Sequence, residues 1–137
     1  MENVLDFRGV PVVSIVIVNW NTKDDLRQCL HSVEENLKGV LFEGIVVDNH
    51  SKDGSGEMVK KDYPRWTFIE NEENMGFARA ANAGIRKSGG TYVLLLNPDI
   101  VVKPYSIRRL TDFMERKPEA GGVGGRLLSP QGMIQWK

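Results

Sequence analysis

Asn97, Pro98 and Asp99 stand directly behind an apolar run, Val93, Leu94, Leu95 and Leu96, and this order is the first sign of chemistry in the chain. Pro98 fixes its own φ and donates no hydrogen bond, so a strand ends there. An amide and a carboxylate are then held at the carboxyl end of what reads as a central strand, buried on both faces. In an open parallel sheet that is the edge where ligands bind. Asp99 offers hard oxygen to a divalent cation such as Mg²⁺, which in turn bridges to phosphate. Asn, Pro and Asp are also common turn formers, so a plain strand-end turn fits the same three residues.

Three more polar stretches follow apolar runs: Asn19-Trp20-Asn21, residues 48–55 and residues 71–75. Four such loops on one sheet edge make a concave polar site. Asp48 follows its strand directly. Its carboxylate can accept from a base N–H or a ribose hydroxyl, or it can cap the next turn. Arg79 falls in the first turn of a helix, where a guanidinium grips phosphate or stacks on a base. A solvated helix face is its ordinary alternative. His31 reads as structural, mid-helix beside core positions. His50 lies in the Asp48 loop with no evident partner and is assigned no catalysis.

Strands and helices must alternate to bring these loops to one edge. Residues 12–18, rich in β-branched side chains, predict the first strand. Thr22 and Asp25 have capping-box spacing. The helix behind them buries Leu26, Cys29, Leu30, Val33 and Leu37, and Gly39 is a plausible stop. Further strands are expected at residues 43–48, 66–70 and 91–96, the third of the four being weaker and nearer an edge. Helices are expected at 57–61 and 76–88. In the latter, Phe77, Ala80, Ala81, Gly84 and Ile85 make one face. A further helix begins near Pro104 and buries Ile107, Leu110, Phe113 and Met114. Residues 121–128 and 133–136 read as two more strands around a turn at 129–132. The alternation implies right-handed crossovers, and so an α/β fold with a mainly parallel sheet and helices on both faces.

Composition narrows the function. The 18 Lys and Arg balance 18 Asp and Glu, giving a formal net charge of zero. Neither nucleic acid nor an anionic membrane is favoured as partner. The 41% hydrophobic and 26% charged content is that of a globular chain. The 137 residues suit one domain, read as a leader over 1–11 and a domain over 12–137. The single Cys29 excludes an internal disulfide and suggests a small apolar helix residue. No apolar run approaches the roughly 20 residues of a membrane span, and no secretory signal opens the chain. A cytoplasmic location is therefore expected, and the Asn49-His50-Ser51 glycosylation pattern is discounted. Gly121-Gly122-Val123-Gly124-Gly125 lacks the Lys-Ser/Thr ending of a phosphate loop.

Four segments in order resemble family 2 glycosyltransferases. They are residues 13–21 (Val-Ser-Ile-Val-Ile-Val-Asn-Trp-Asn), 46–55 (Val-Val-Asp-Asn-His-Ser-Lys-Asp-Gly-Ser), 74–84 (Asn-Met-Gly-Phe-Ala-Arg-Ala-Ala-Asn-Ala-Gly) and 94–99. The subgroup they most resemble is the rhamnosyltransferase-like enzymes of bacterial surface polysaccharide synthesis. The resemblance implies a GT-A (nucleotide-diphospho-sugar transferase) fold. It implies inverting transfer of a sugar, rhamnose in that subgroup, from a UDP- or dTDP-sugar to a glycan or lipid-linked acceptor. Asp48 would read the pyrimidine base, with Asn19 and Asn21 lining the nucleotide pocket. Asn74, Arg79 and Asn82 would lie near base and diphosphate. Asn97 and Asp99 would stand at the family's Asp-x-Asp position. Asp99 would hold Mg²⁺ or Mn²⁺, which neutralises the leaving diphosphate. Asn97 departs from a pair of carboxylates and implies weaker metal binding.

An inverting transferase also needs a general base. In the family it comes from the acceptor half, after the metal motif. Here only Asp112, Glu115 and Glu119 follow Asp99, on or just after a helix outside the crevice. The expectation is the donor half of a longer enzyme, with the fold cut short at its C-terminus and the full protein peripheral at the inner face of a membrane. Leu127, Leu128, Ile134 and Trp136 would form an uncovered apolar patch that favours self-association. The alternative is a non-catalytic nucleotide- or Mg-binding α/β module, either a nucleotide binder or a receiver. A receiver needs an acidic cluster after the first strand, where this chain has Asn19-Trp20-Asn21.

Overall fold

The structure, a computed structural model, describes residues 12–37 and 40–135. The expected leader, the helix stop at Gly39 and Trp136 lie outside the described residues. The elements are β1 (Val13–Asn19), α1 (Lys23–Asn36), β2 (Phe42–Asp48), α2 (Ser55–Asp62), β3 (Thr67–Glu70), α3 (Phe77–Lys87), β4 (Tyr92–Leu96) and α4 (Ser106–Arg116). The four strands form one sheet in the order β3-β2-β1-β4, and every neighbouring pair is parallel.

Two layers of helix cover the sheet. On one face Val13, Ile15, Ile17 and Val46 pack with Leu26, Cys29, Leu30 and Val33 of α1, Met58 and Val59 of α2 and Ile107 of α4. On the other, Val16, Ile45 and Val47 pack with Ala80 of α3. Burying each large aliphatic side chain is worth about 1.5–3 kcal/mol relative to exposure, so β1 and β2 are the anchor of the domain. α3 approaches closely because its buried residues are Ala80, Ala81 and Gly84. A Cβ on Gly84 would stand 2.4 Å from Cγ1 of Val16. Phe77 and Ile85, expected on that buried face, are exposed instead.

β4 departs from its expected place. It is an edge strand, not a central one, and Val93 and Leu95 are exposed at 41% and 46%. Tyr92, Leu94 and Leu96 pack against the α1 side. Leu95 pairs with Val16, on the α3 side, but α3 makes its contacts with β1 and β2. An unbroken apolar run carries no alternation to reveal that one of its faces lacks cover. The start of β4 is tied to β1 by a polar clasp. Glu43 Oε2 accepts from Ser14 Oγ at 2.5 Å and from Gly89 N at 2.8 Å, and Gly90 N donates to Ser14 Oγ at 2.8 Å.

The two strands expected after α4 do not join the sheet. Residues 121–135 hold a single antiparallel bridge, Leu128 to Ile134, closed by Ser129 N to Met133 O at 2.7 Å. Four glycines in five residues weaken any strand over 121–125. Leu127, Leu128 and Ile134 are exposed, as expected of an uncovered patch. In α4 Ile107 is buried, Leu110 and Met114 are half-buried and Phe113 is exposed. Among the described residues, no helix is long and apolar enough to cross a membrane.

Candidate functional site

β1 and β2 end side by side, with Asn19 in register with Asp48. Both side chains are buried. Asn19 Nδ2 donates to Asp48 Oδ1 at 2.8 Å and to Ser51 Oγ at 3.2 Å. Ser51 Oγ donates to the same Asp48 oxygen at 2.7 Å, and Ser51 N donates to Asp48 Oδ2 at 2.8 Å. Asp48 therefore caps its own loop, the local alternative left open by the sequence. Three of its roughly four acceptor sites are used by these bonds. Asn21 takes a left-handed φ of 52°. Its backbone N donates to Ser51 Oγ at 2.8 Å, and its Oδ1 accepts from Lys52 N at 2.7 Å. Asn19, Asn21 and Asp48 are thus joined through Ser51, which the sequence signalled only by its three-residue spacing behind Asp48.

The expected capping box at Thr22 is absent. Thr22 makes no side-chain cap, and its Oγ1 donates instead to Asn19 Oδ1 at 2.7 Å. The cap comes from the neighbouring loop: Asp53 Oδ2 accepts from Lys23 N at 2.8 Å. Asp53 Oδ1 accepts from Ser55 N at 3.0 Å and Ser55 Oγ at 2.5 Å. One carboxylate therefore holds the first turns of α1 and α2 together. Partial burial pushes its pKa up, but the bonds from Ser55 and Lys23 prevail and hold it below the usual value.

A second run of amides links the remaining loop. Asn71 Nδ2 donates to Asn49 Oδ1 at 2.9 Å, and Asn49 Nδ2 donates to Gly76 O at 3.3 Å. Asn74 is exposed and its Oδ1 accepts from Gly76 N at 3.0 Å. Arg79 and Asn82 are exposed on α3. His31 is exposed rather than set against the core, and His50 is not alone: its Nε2 lies 2.7 Å from Lys52 Nζ.

β4 runs parallel to β1, and Leu96 pairs with Ile17, so Asn97 to Asp99 leave the same sheet edge as Asn19 and Asp48. Both Asn97 and Asp99 are exposed. Beneath them lies the buried Cys29, whose Sγ is 3.6 Å from Asn97 O. Burial, with the nearby negative charge of Asp99, pushes this thiol up to about 12. Among the described residues, no group of three or more His, Cys, Asp and Glu could hold a metal ion by itself. Asp99 offers one hard carboxylate, which would fit Mg²⁺ or Mn²⁺ only if the ion took its other ligands from outside the protein. No acidic cluster follows β1, which weighs against the receiver-type alternative.

Trp20 was not singled out by its sequence context. It is 56% exposed at the strand-end edge between Asn19 and Asn21. An indole held there offers a flat face for a base or sugar. Its signal was a large aromatic placed in a polar loop. Among the described residues, no buried side-chain N or O lacks a hydrogen-bond partner. The edge is therefore organised before any ligand arrives.

The model of the family described as "Glycosyl transferase family 2" matches residues 14–137. The succinoglycan biosynthesis protein ExoO of Rhizobium meliloti is 33% identical over 113 residues, covering 82% of this chain and 31% of that protein. The N-acetylglucosaminyl-diphospho-decaprenol L-rhamnosyltransferase of Mycobacterium tuberculosis is 29% identical, covering 90% and 43%. The chain thus spans less than half the length of these curated relatives. Among solved structures, the mannosyltransferase PcManGT of Pyrobaculum calidifontis, in complex with GDP-Man and Mn²⁺, superposes with a TM-score of 0.72 at 21% identity, covering 88% of this chain and 36% of that one. S. aureus TarS 1-349 in complex with UDP gives a TM-score of 0.70 at 20% identity, covering 85% and 38%. The fold is that of these GT-A glycosyltransferases.

Proposed function

The chain belongs to glycosyl transferase family 2, and from that premise we propose that it is the donor-binding part of an inverting glycosyltransferase of cell-surface polysaccharide synthesis. The observation that supports this reading is that β1, β2 and β4 are parallel and end on one edge of the sheet, with Asn19 and Asp48 at the ends of β1 and β2 and Asp99 three residues beyond the end of β4. A nucleoside diphosphate sugar, UDP- or dTDP-linked, fits that edge. Asp48 and Asn19 shape the base pocket, Trp20 stacks on the base and Asn21 fixes the loop around it. Asn74, Arg79 and Asn82 border the diphosphate side.

Asp99, beside Asn97, would hold Mg²⁺ or Mn²⁺. When bound, the ion supplies positive charge to the departing diphosphate. The chain's own residues bind the donor, orient it and keep the carboxylate in place. We assign no catalytic base: Asp112, Glu115 and Glu119 are exposed on or just after α4. The activity expected of this chain by itself is donor binding, with at most slow donor hydrolysis. The acceptor is a glycan or a lipid-linked glycan, and rhamnose is the first sugar to test, as one relative is a rhamnosyltransferase. We also place the protein in the cytoplasm, at the inner face of the membrane. The exposed Leu127, Leu128 and Ile134 are the candidate surface for self-association.

Calorimetry with UDP and dTDP, each with and without Mn²⁺, tests the reading. Asp99→Ala should abolish the metal effect. Asp48→Ala should keep that effect but relax the choice of base. A parent chain that binds neither nucleotide, with or without Mn²⁺, would remove the proposal.

A further inference from the structure

We propose that a polar stripe on α1, formed by Cys29, Ser32 and Asn36, positions the turn that carries Asp99 and ties it to the nucleotide pocket. The three residues are three and four apart and share one helix face. Ser32 Oγ accepts from Val102 N at 2.9 Å and donates to Cys29 O at 2.8 Å. Asn36 Nδ2 donates to Val102 O at 3.0 Å and to Ser32 O at 2.8 Å. Cys29 Sγ faces Asn97 O at 3.6 Å. Ile100 N donates to the same Asn97 carbonyl at 3.2 Å, and the side chain of Val102 is buried in the core. Segment 97–102 is therefore fastened to α1 at both ends, with Asp99 exposed between the two attachments.

Helix interiors discourage Ser and Asn, because these side chains compete for backbone partners. Here both side chains serve a backbone outside their own helix, and Ser32 is buried while doing so. Apolar packing alone would be met as well by Ala at both positions. The far end of the same helix is bound to the other half of the site. Lys23 N is held by Asp53, and Thr22 Oγ1 by Asn19. A single rigid helix thus spans from the Asn19–Asp48 pocket to the Asp99 turn, and it sets the distance between a bound nucleoside and a bound cation.

The inference rests on the reading of Asp99 as a metal ligand. The test uses the full chain, with UDP as probe, titrated by calorimetry with and without Mn²⁺. Ser32→Ala and Asn36→Ala should cut the Mn²⁺ enhancement of UDP binding about three- to tenfold while changing metal-free UDP binding less than about twofold. Ser32→Thr, which keeps the hydroxyl, should restore the enhancement. Where an Ala variant fails to fold, the nearly isosteric Ser32→Cys carries the same expectation. Unchanged enhancement in these variants overturns the inference. So does a parallel loss of metal-free and metal-dependent binding that tracks the fall in melting temperature, since that is a merely structural role. If the parent chain binds UDP without any Mn²⁺ effect, both the metal reading and this inference fall.

Discussion

Nδ2 of Asn19 donates to Oδ1 of Asp48 at 2.8 Å, across the ends of two neighbouring parallel strands. A buried amide and a buried carboxylate are thereby matched before any ligand is present. The pairing follows from strand register, since the last residues of β1 and β2 are partners.

Asp48→Ala should therefore cost stability as well as base selectivity. It removes the acceptor of three hydrogen bonds and leaves Asn19 Nδ2 with Ser51 alone. Hydrogen bonds to charged groups are worth about 1.5–3 kcal/mol each and are not additive, so a loss near 3 kcal/mol is expected. Urea unfolding measures it, and a midpoint equal to the parent's would show that the network contributes nothing to the fold.

Asp53 should shape the acid limb of stability. Its folded-state pKa lies below the ordinary value of 3.8. A depressed carboxylate contributes stability that is fully present above the unfolded value and lost as pH falls through the folded value. Asp53→Asn should lower the melting temperature near neutral pH, and the difference between the two proteins should shrink as pH falls below the ordinary carboxylate value and through the lowered folded one. Curves that stay parallel through acid pH would contradict the double helix cap.

Gly84→Ala tests the approach of α3 to the sheet. The added methyl would meet Cγ1 of Val16 at 2.4 Å and Cγ2 of Val47 at 3.1 Å. Overpacking of this kind costs about 1–3 kcal/mol, more than the gain in helix propensity from replacing glycine. Thermal denaturation should show the loss, and a variant as stable as the parent would mean that α3 can shift outward freely.

Cys29 should be inert in the folded protein. It is fully buried and its thiol is pushed up to about 12, so almost no thiolate exists at pH 8. Thiol labelling at that pH should be slow in buffer and fast in denaturant. Rapid labelling of the native chain would mean that α1 does not seal the space beneath Asn97.

The alternation of apolar runs with amphipathic segments was enough to determine four parallel strands, four helices and a polar edge at the strand ends. Strand-end polarity also singled out Asn19, Asp48 and Asp99, because a buried strand must end where its polar residues begin. Which face of β4 lacks cover was not legible, since Val93 to Leu96 are uniformly apolar and exposure there depends on how far α3 reaches. The failure of residues 121–128 to join the sheet was likewise a matter of partners, which a local pattern does not count. Thr22 had the spacing of a capping box, yet Asp53 took the cap from a loop 30 residues away. The bonds from Ser32 and Asn36 to Val102 span 70 and 66 residues. Long-range hydrogen bonds leave no mark in local periodicity, so only the tertiary structure could place the Asp99 turn on α1.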